Sequence, residues 1–163
     1  MPQVADNSPI IATRAEFVAE CRRLLSVPWR HQGRSEKGVD CVGLLVLPAI
    51  RLGILRPDQD VNNYQRAPHG DRLDCLLHQH CRRLGDWKEA KEADILAIKY
   101  FNQPQHVMVV TGPYDPRWGW YVIHAFGNDA MPGKVIEHRL DGNWLKSHRA
   151  RIHAAFHIKG VGD

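Results

Sequence analysis

Gly38-Val39-Asp40-Cys41-Val42-Gly43-Leu44-Leu45-Val46-Leu47-Pro48-Ala49-Ile50-Arg51-Leu52-Gly53 changes character at Cys41. From Cys41 onward it is apolar nearly all round, the pattern of a buried helix. Gly53 is placed to end that helix in a left-handed conformation. Pro48 has no N–H, so it should leave the Leu44 carbonyl without its helical partner and kink the chain there. Upstream, residues 27–40 are rich in Pro, Gly and charge and read as a loop of about 14 residues, a length at which loops in compact domains are usually functional or disordered. Cys41 therefore stands where a loop becomes a helix. A thiol there feels the positive end of the helix dipole and nearby amides, which should lower its pKa and favour the thiolate. The same amides can receive a developing oxyanion. From local context alone, Cys41 reads equally well as a small buried residue.

Toward the N-terminus, Thr13-Arg14-Ala15-Glu16 has the spacing of a capping box and predicts a helix start. Phe17, Cys21, Leu24 and Leu25 then form one apolar face that ends before Pro28, so Cys21 reads as core. Downstream, a linker through Pro57, Asn62, Asn63 and Pro68 precedes a third amphipathic helix over 71–84. Leu73, Leu76, Leu77, His80, Cys81 and Leu84 are its apolar face, and Gly85 closes it. After Asp94 the pattern turns to short β-type runs over 95–100, 106–111, 120–125, 134–138 and 152–158, separated by Pro, Gly and Asn turns. Helices first and strands second predict an α+β fold, its N-terminal helices packed on a C-terminal, mostly antiparallel sheet. With no repeat and no composition break, one domain covers residues 1–163.

The chain has 163 residues, 44% hydrophobic and 25% charged, which argues against disorder, collagen and coiled coil. Its apolar run over 42–50 is far shorter than the roughly 20 residues a membrane-spanning helix needs. Residues 1–10 lack the basic start and apolar core of a secretory signal, so the chain is not expected to export itself. A net charge of +4 is compatible with anionic surroundings, but neither zinc-finger spacing nor an RNA-binding aromatic signature accompanies it. No specific nucleic-acid partner is expected. The four cysteines, three of them in apparent helices, read as reduced thiols. Cys75-Leu-Leu-His-Gln-His-Cys81 invites a zinc reading, yet on one helix Cys75 and Cys81 point about 120° apart, so no metal site is expected.

A cysteine nucleophile needs a base and usually a group that orients the base. Strand alternation places His106, Met108 and Val110 on one face and Trp120, Val122 and His124 on one face of the next strand. A hairpin folded about 113–119 brings His106 near His124, where one imidazole can fix the tautomer of the other. Taken singly, each reads as an ordinary strand histidine. His69, His138, His148, His153 and His157 have no spacing that names a site and read as surface or strand residues.

Four stretches, in order, resemble the NlpC family of papain-like cell-wall cysteine peptidases, especially its branch in phage tails and gene-transfer agents. Pro28-Trp29-Arg30-His31-Gln32-Gly33 is similar to the loop leading into the site, and Gly38-Val39-Asp40-Cys41-Val42-Gly43-Leu44 to the nucleophile motif. Glu92-Ala93-Asp94-Ile95-Leu96 with His106-Val107-Met108-Val109-Val110 resembles the strand pair that carries the base. Val122-Ile123-His124-Ala125 resembles the strand that carries the orienting residue. The similarity runs from about residue 13 to 161, nearly the whole chain.

The resemblance implies a papain-like fold, no cofactor, and a catalytic set of Cys41 as nucleophile, His106 as base and then acid, and His124 orienting His106. It implies hydrolysis of amide bonds in peptidoglycan stem peptides through a thioester, and a phage-tail-associated wall hydrolase with other tail proteins as partners. Its location would then be the virion tail or the producing cell's cytoplasm, its action at the bacterial wall. Trp29, His31 and Asp40 are the expected substrate or oxyanion residues. Trp29 stands where many relatives have a tyrosine, and its indole can donate but not accept. Val42 replaces a common serine. Two alternatives stay open: an inert or structural tail-assembly protein, and a papain-like amidase or acyltransferase on another substrate.

Overall fold

The computed structural model describes residues 8–61, 63–65, 72–127 and 130–163. In chain order they form β1 (Ala12–Thr13), α1 (Arg14–Arg22), β2 (Arg34–Ser35), β3 (Gly38–Val39), α2 (Gly43–Arg51), α3 (Arg72–His80) and β4 (Cys81–Arg83). Then follow β5 (Ile95–Tyr100), β6 (Gln103–Val110), β7 (Trp120–Phe126), β8 (Lys134–Leu140), α4 (Gly142–Ser147), β9 (Ala150–Ile158) and β10 (Val161–Gly162). The architecture is α+β. Six antiparallel strands in the order β4-β9-β5-β6-β7-β8 make the main sheet. Among the described residues, no helix is long and apolar enough to cross a membrane.

The sheet is buried on both faces, which is why its strands read as nearly continuous apolar runs. Alternation sends Ile95, Ala97, Val107, Val109, Ile123 and Phe156 into one core with Phe17, Val18 and Cys21 of α1, Leu44 and Ala49 of α2, and Leu73 and Leu77 of α3. Leu96, Ile98, Met108, Val110, Trp120 and Val122 fill the opposite face with Trp87, Tyr114 and Trp144.

The capping box forms as its spacing predicts: the Glu16 N–H donates to Thr13 Oγ1 and the Thr13 N–H to Glu16 Oε2. Gly53, at φ 76°, follows α2 in the left-handed region. Pro48 does leave the Leu44 carbonyl free, and the buried Cys21 thiol, 3.8 Å away, donates to it.

Four expectations need correction. The third helix ends at His80, because Cys81, Arg82 and Arg83 pair with Ile158, His157 and Phe156 along the edge of β9. This long-range ladder satisfies backbone groups that a local 3.6-residue pattern cannot foresee, and Cys81 stays buried in it. Residues 27–40 are not an irregular loop, since β2 and β3 form a small antiparallel ladder within them. Leu25 lies outside the core, 40% exposed. The strands β1 and β10, which pair in parallel, and the helix α4 were not expected. Asn62 and Pro68 of the linker, Asp71 at the predicted helix start, His69, and residues 1–7 lie outside the described residues.

Candidate active site

Asp40 fixes the start of α2. Its Oδ1 accepts the Gly43 N–H at 2.8 Å, and its main-chain carbonyl accepts the Leu44 N–H at 3.0 Å. The same carboxylate ties the preceding loop to the helix: Oδ2 accepts the Gln32 N–H at 2.7 Å and the Tyr64 hydroxyl, and Oδ1 accepts Arg34 Nη1 at 3.3 Å. Arg34 also donates through Nε to both oxygens of Asp60 at 3.0 Å and through Nη1 to the Tyr64 hydroxyl at 3.1 Å. Gly43, two residues after Cys41, has a steric reason, since a Cβ there would stand 2.2 Å from the Gly33 carbonyl oxygen.

Between Asp40 and α2, Cys41 is half-buried in the wall of a cavity of about 320 Å³ that Trp29, His31, Asp40, Tyr64, Gln105 and His106 also line. That volume suits a small ligand or a peptide fragment. His31 packs edge-on to Tyr64, ring centres 5.5 Å apart. Behind the cavity wall, His106 Nε2 lies 2.7 Å from His124 Nδ1. His106 is 8% exposed and His124 fully buried. The antiparallel register, Val110 opposite Val122, brings the two strands together as the parity argument expects. The structure thus brings Cys41, His106 and His124 into one constellation, with Trp29, His31 and Asp40 around the cavity.

The electrostatics differ from expectation at the sulfur. Burial, with the charge of Asp40, pushes the Cys41 thiol up to about 12, while the backbone groups of Val107, Val42 and Cys41 itself pull the other way. The expected lowering by the helix start is overcome by desolvation. Burial also pushes His106 down to about 4, opposed by Asp40 and assisted by His138. His124 is driven far below the usual imidazole range by burial and by His106, His138 and His148. At neutral pH both groups are uncharged, a thiol and a neutral imidazole lining one cavity.

Asp40, expected among substrate or oxyanion residues, has both oxygens engaged by Gln32, Arg34, Gly43 and Tyr64 at the edge of the cavity. Sequence reasoning missed Arg34, Asp60, Tyr64 and His138. Arg34, Asp60 and Tyr64 carry no spacing signal, because their contacts join separate segments; His138 would follow from the register of β8 against β7. The zinc reading gains nothing. Cys81 leaves the helix for β4, Cys75 is exposed, and among the described residues no group of three or more His, Cys, Asp or Glu could hold a metal.

No protein-family model matches this sequence, and no curated protein does. Solved structures match it in shape. The NlpC/p60 domain of peptidoglycan hydrolase SagA superimposes with a TM-score of 0.60 at 16% identity, over 90% of this chain and 100% of that one. An NlpC/p60 family protein from Bacillus cereus gives 0.61 at 15%, over 94% of this chain and 42% of that one. NlpC1 from Trichomonas vaginalis gives 0.57 at 13%, over 98% of this chain and 46% of that one. The chain has the papain-like α+β fold of NlpC/p60 domains. It spans less than half the length of the Bacillus and Trichomonas proteins.

Proposed function

We propose that this chain is a cysteine peptidase or amidase that hydrolyses amide bonds in peptidoglycan stem peptides. One observation carries the reading: Cys41, at the start of a buried helix, shares a cavity with His106, whose far nitrogen is bonded to a buried second imidazole at 2.7 Å. The fold shared with a peptidoglycan hydrolase domain supports the substrate class. The phage-tail setting, with other tail proteins as partners, rests on the sequence resemblance alone.

In this reading His106 removes the Cys41 proton as the sulfur adds to the amide carbonyl, and amides at the helix start hold the oxyanion. Imidazolium then protonates the departing amine, the C–N bond breaks, and a thioester remains. His106 next deprotonates a water that adds to the thioester carbonyl, and the thiol leaves with that proton. His124 keeps His106 in place throughout.

The test is digestion of purified peptidoglycan and soluble stem peptides by the wild-type protein and Cys41→Ala, read by mass spectrometry of released fragments. Fragments that depend on Cys41 are expected and would name the bond. Their absence from both substrates overturns the proposal.

A further inference from the structure

The contacts of the histidine pair continue beyond it. His124 Nε2 lies 2.8 Å from His138 Nε2, and His138 Nδ1 lies 2.8 Å from the carbonyl oxygen of Arg139. The three imidazoles come from three adjacent strands, with Val122 of β7 directly opposite His138 of β8. A carbonyl oxygen only accepts, so His138 carries its proton on Nδ1, and in the neutral ring its Nε2 must accept. His124 then donates through Nε2–H and has a bare Nδ1. His106 must donate to that nitrogen through its own Nε2–H. The order leaves His106 Nδ1 bare, the remaining ring nitrogen and the one available to a thiol.

We propose that His138 is a positioning residue which, anchored on the Arg139 carbonyl, sets the proton order of a three-imidazole relay so that His106 presents a bare Nδ1 to Cys41. The proposal deepens the cysteine-peptidase reading and rests on it.

Burial disfavours charge on His106 and on His124, so the inner rings are neutral and the proton order is set from the outer end, where His138 meets the Arg139 carbonyl. Trp144 of α4 stacks between, 5.4 Å from His138 and 4.0 Å from His148 between ring centres.

Nitrogen-15 NMR of the imidazole rings reads the proton order directly, in the full chain carrying Cys41→Ala so that no thiol shares the proton. His106 and His124 are each expected as a single Nε2–H tautomer at mildly alkaline pH, and His138→Phe should return His106 to a mixture. A Nδ1–H tautomer at His106, or a spectrum that His138→Phe leaves unchanged, overturns the proposal. The tautomers of the unsubstituted relay decide the matter even if His138→Phe does not fold.

With Cys41 intact, His138→Gln keeps an acceptor near the Nε2 position and should retain kcat within about threefold. His138→Phe should lose about tenfold or more in kcat with KM nearly unchanged. A kcat that falls as far in His138→Gln as in His138→Phe overturns the proposal. Failure to cleave any wall peptide would overturn the peptidase reading, while the NMR measurement would still decide the relay.

Discussion

His106 Nε2 and His124 Nδ1 stand 2.7 Å apart inside the sheet, with His124 shielded completely from solvent. A buried imidazole nitrogen without a partner costs about 1–3 kcal/mol, and a base free to rotate loses its alignment with the thiol. His124→Phe should therefore lower kcat about 100-fold while changing KM by less than about threefold. Steady-state kinetics on a soluble stem peptide checks this. A kcat unchanged in a folded His124→Phe protein would remove His124 from the mechanism.

Stability should fall with acid because the paired imidazoles are buried. Unfolded histidines take up protons near pH 6.5, but burial holds His106 neutral down to about 4, so the native state binds fewer protons across that interval. Stability is then full above pH 6.5, is lost progressively as pH falls toward 4, and levels off for this group below it. His106 alone accounts for up to roughly 3 kcal/mol. Urea unfolding between pH 7 and pH 4 should show the loss, and His106→Gln should flatten the curve.

Local pattern and non-local pairing divide what was legible. Thr13 and Glu16 named the helix start because a capping box is complete within four residues. His106 and His124 could be joined because period-two parity gives the face of each strand and only the register of one hairpin had to be assumed. His138 needed a third strand in register, and a lone histidine in a polar run carries no such information. Cys81 looked helical because Leu73, Leu77 and Cys81 keep helical spacing, whereas the strand it enters exists only through the distant Ile158. Arg34 and Tyr64 reach Asp40, and Asp60 joins them through Arg34, by side-chain contacts across segments with no shared periodicity. The Cys41 thiol is pushed up rather than down because dipole and amides are readable from a helix start, whereas the cost of desolvation at the sulfur depends on which distant segments close over it.

Gly43 is a steric requirement of the site. Gly43→Ala would place a methyl group 2.2 Å from the Gly33 carbonyl oxygen, 3.0 Å from Arg34 Nη1 and 3.3 Å from Asp40 Oδ1. The backbone contact cannot give way without moving the loop that Asp40 holds. Such overpacking costs about 1–3 kcal/mol, and the shift reaches the residue beside Cys41. A lowered urea midpoint together with slower alkylation of Cys41 is expected. Wild-type values for both would show that the loop has slack the close approach does not suggest.

Trp29 lines the cavity beside Cys41, its main-chain N–H donating to the Gly133 carbonyl at 2.8 Å, so the backbone position is fixed independently of the side chain. The indole N–H is the polar group its side chain can offer to a developing oxyanion. Trp29→Phe keeps an aromatic ring and removes that donor. If the indole assists the oxyanion, kcat should fall at least several-fold with the fold intact, since a lost oxyanion donor costs catalysis rather than packing. KM should change little, because the ground-state carbonyl makes a weaker bond than the tetrahedral intermediate. A Trp29→Phe protein with the wild-type kcat and melting temperature would assign Trp29 to packing of the cavity wall, and the oxyanion would then rest on the backbone amides at the start of α2.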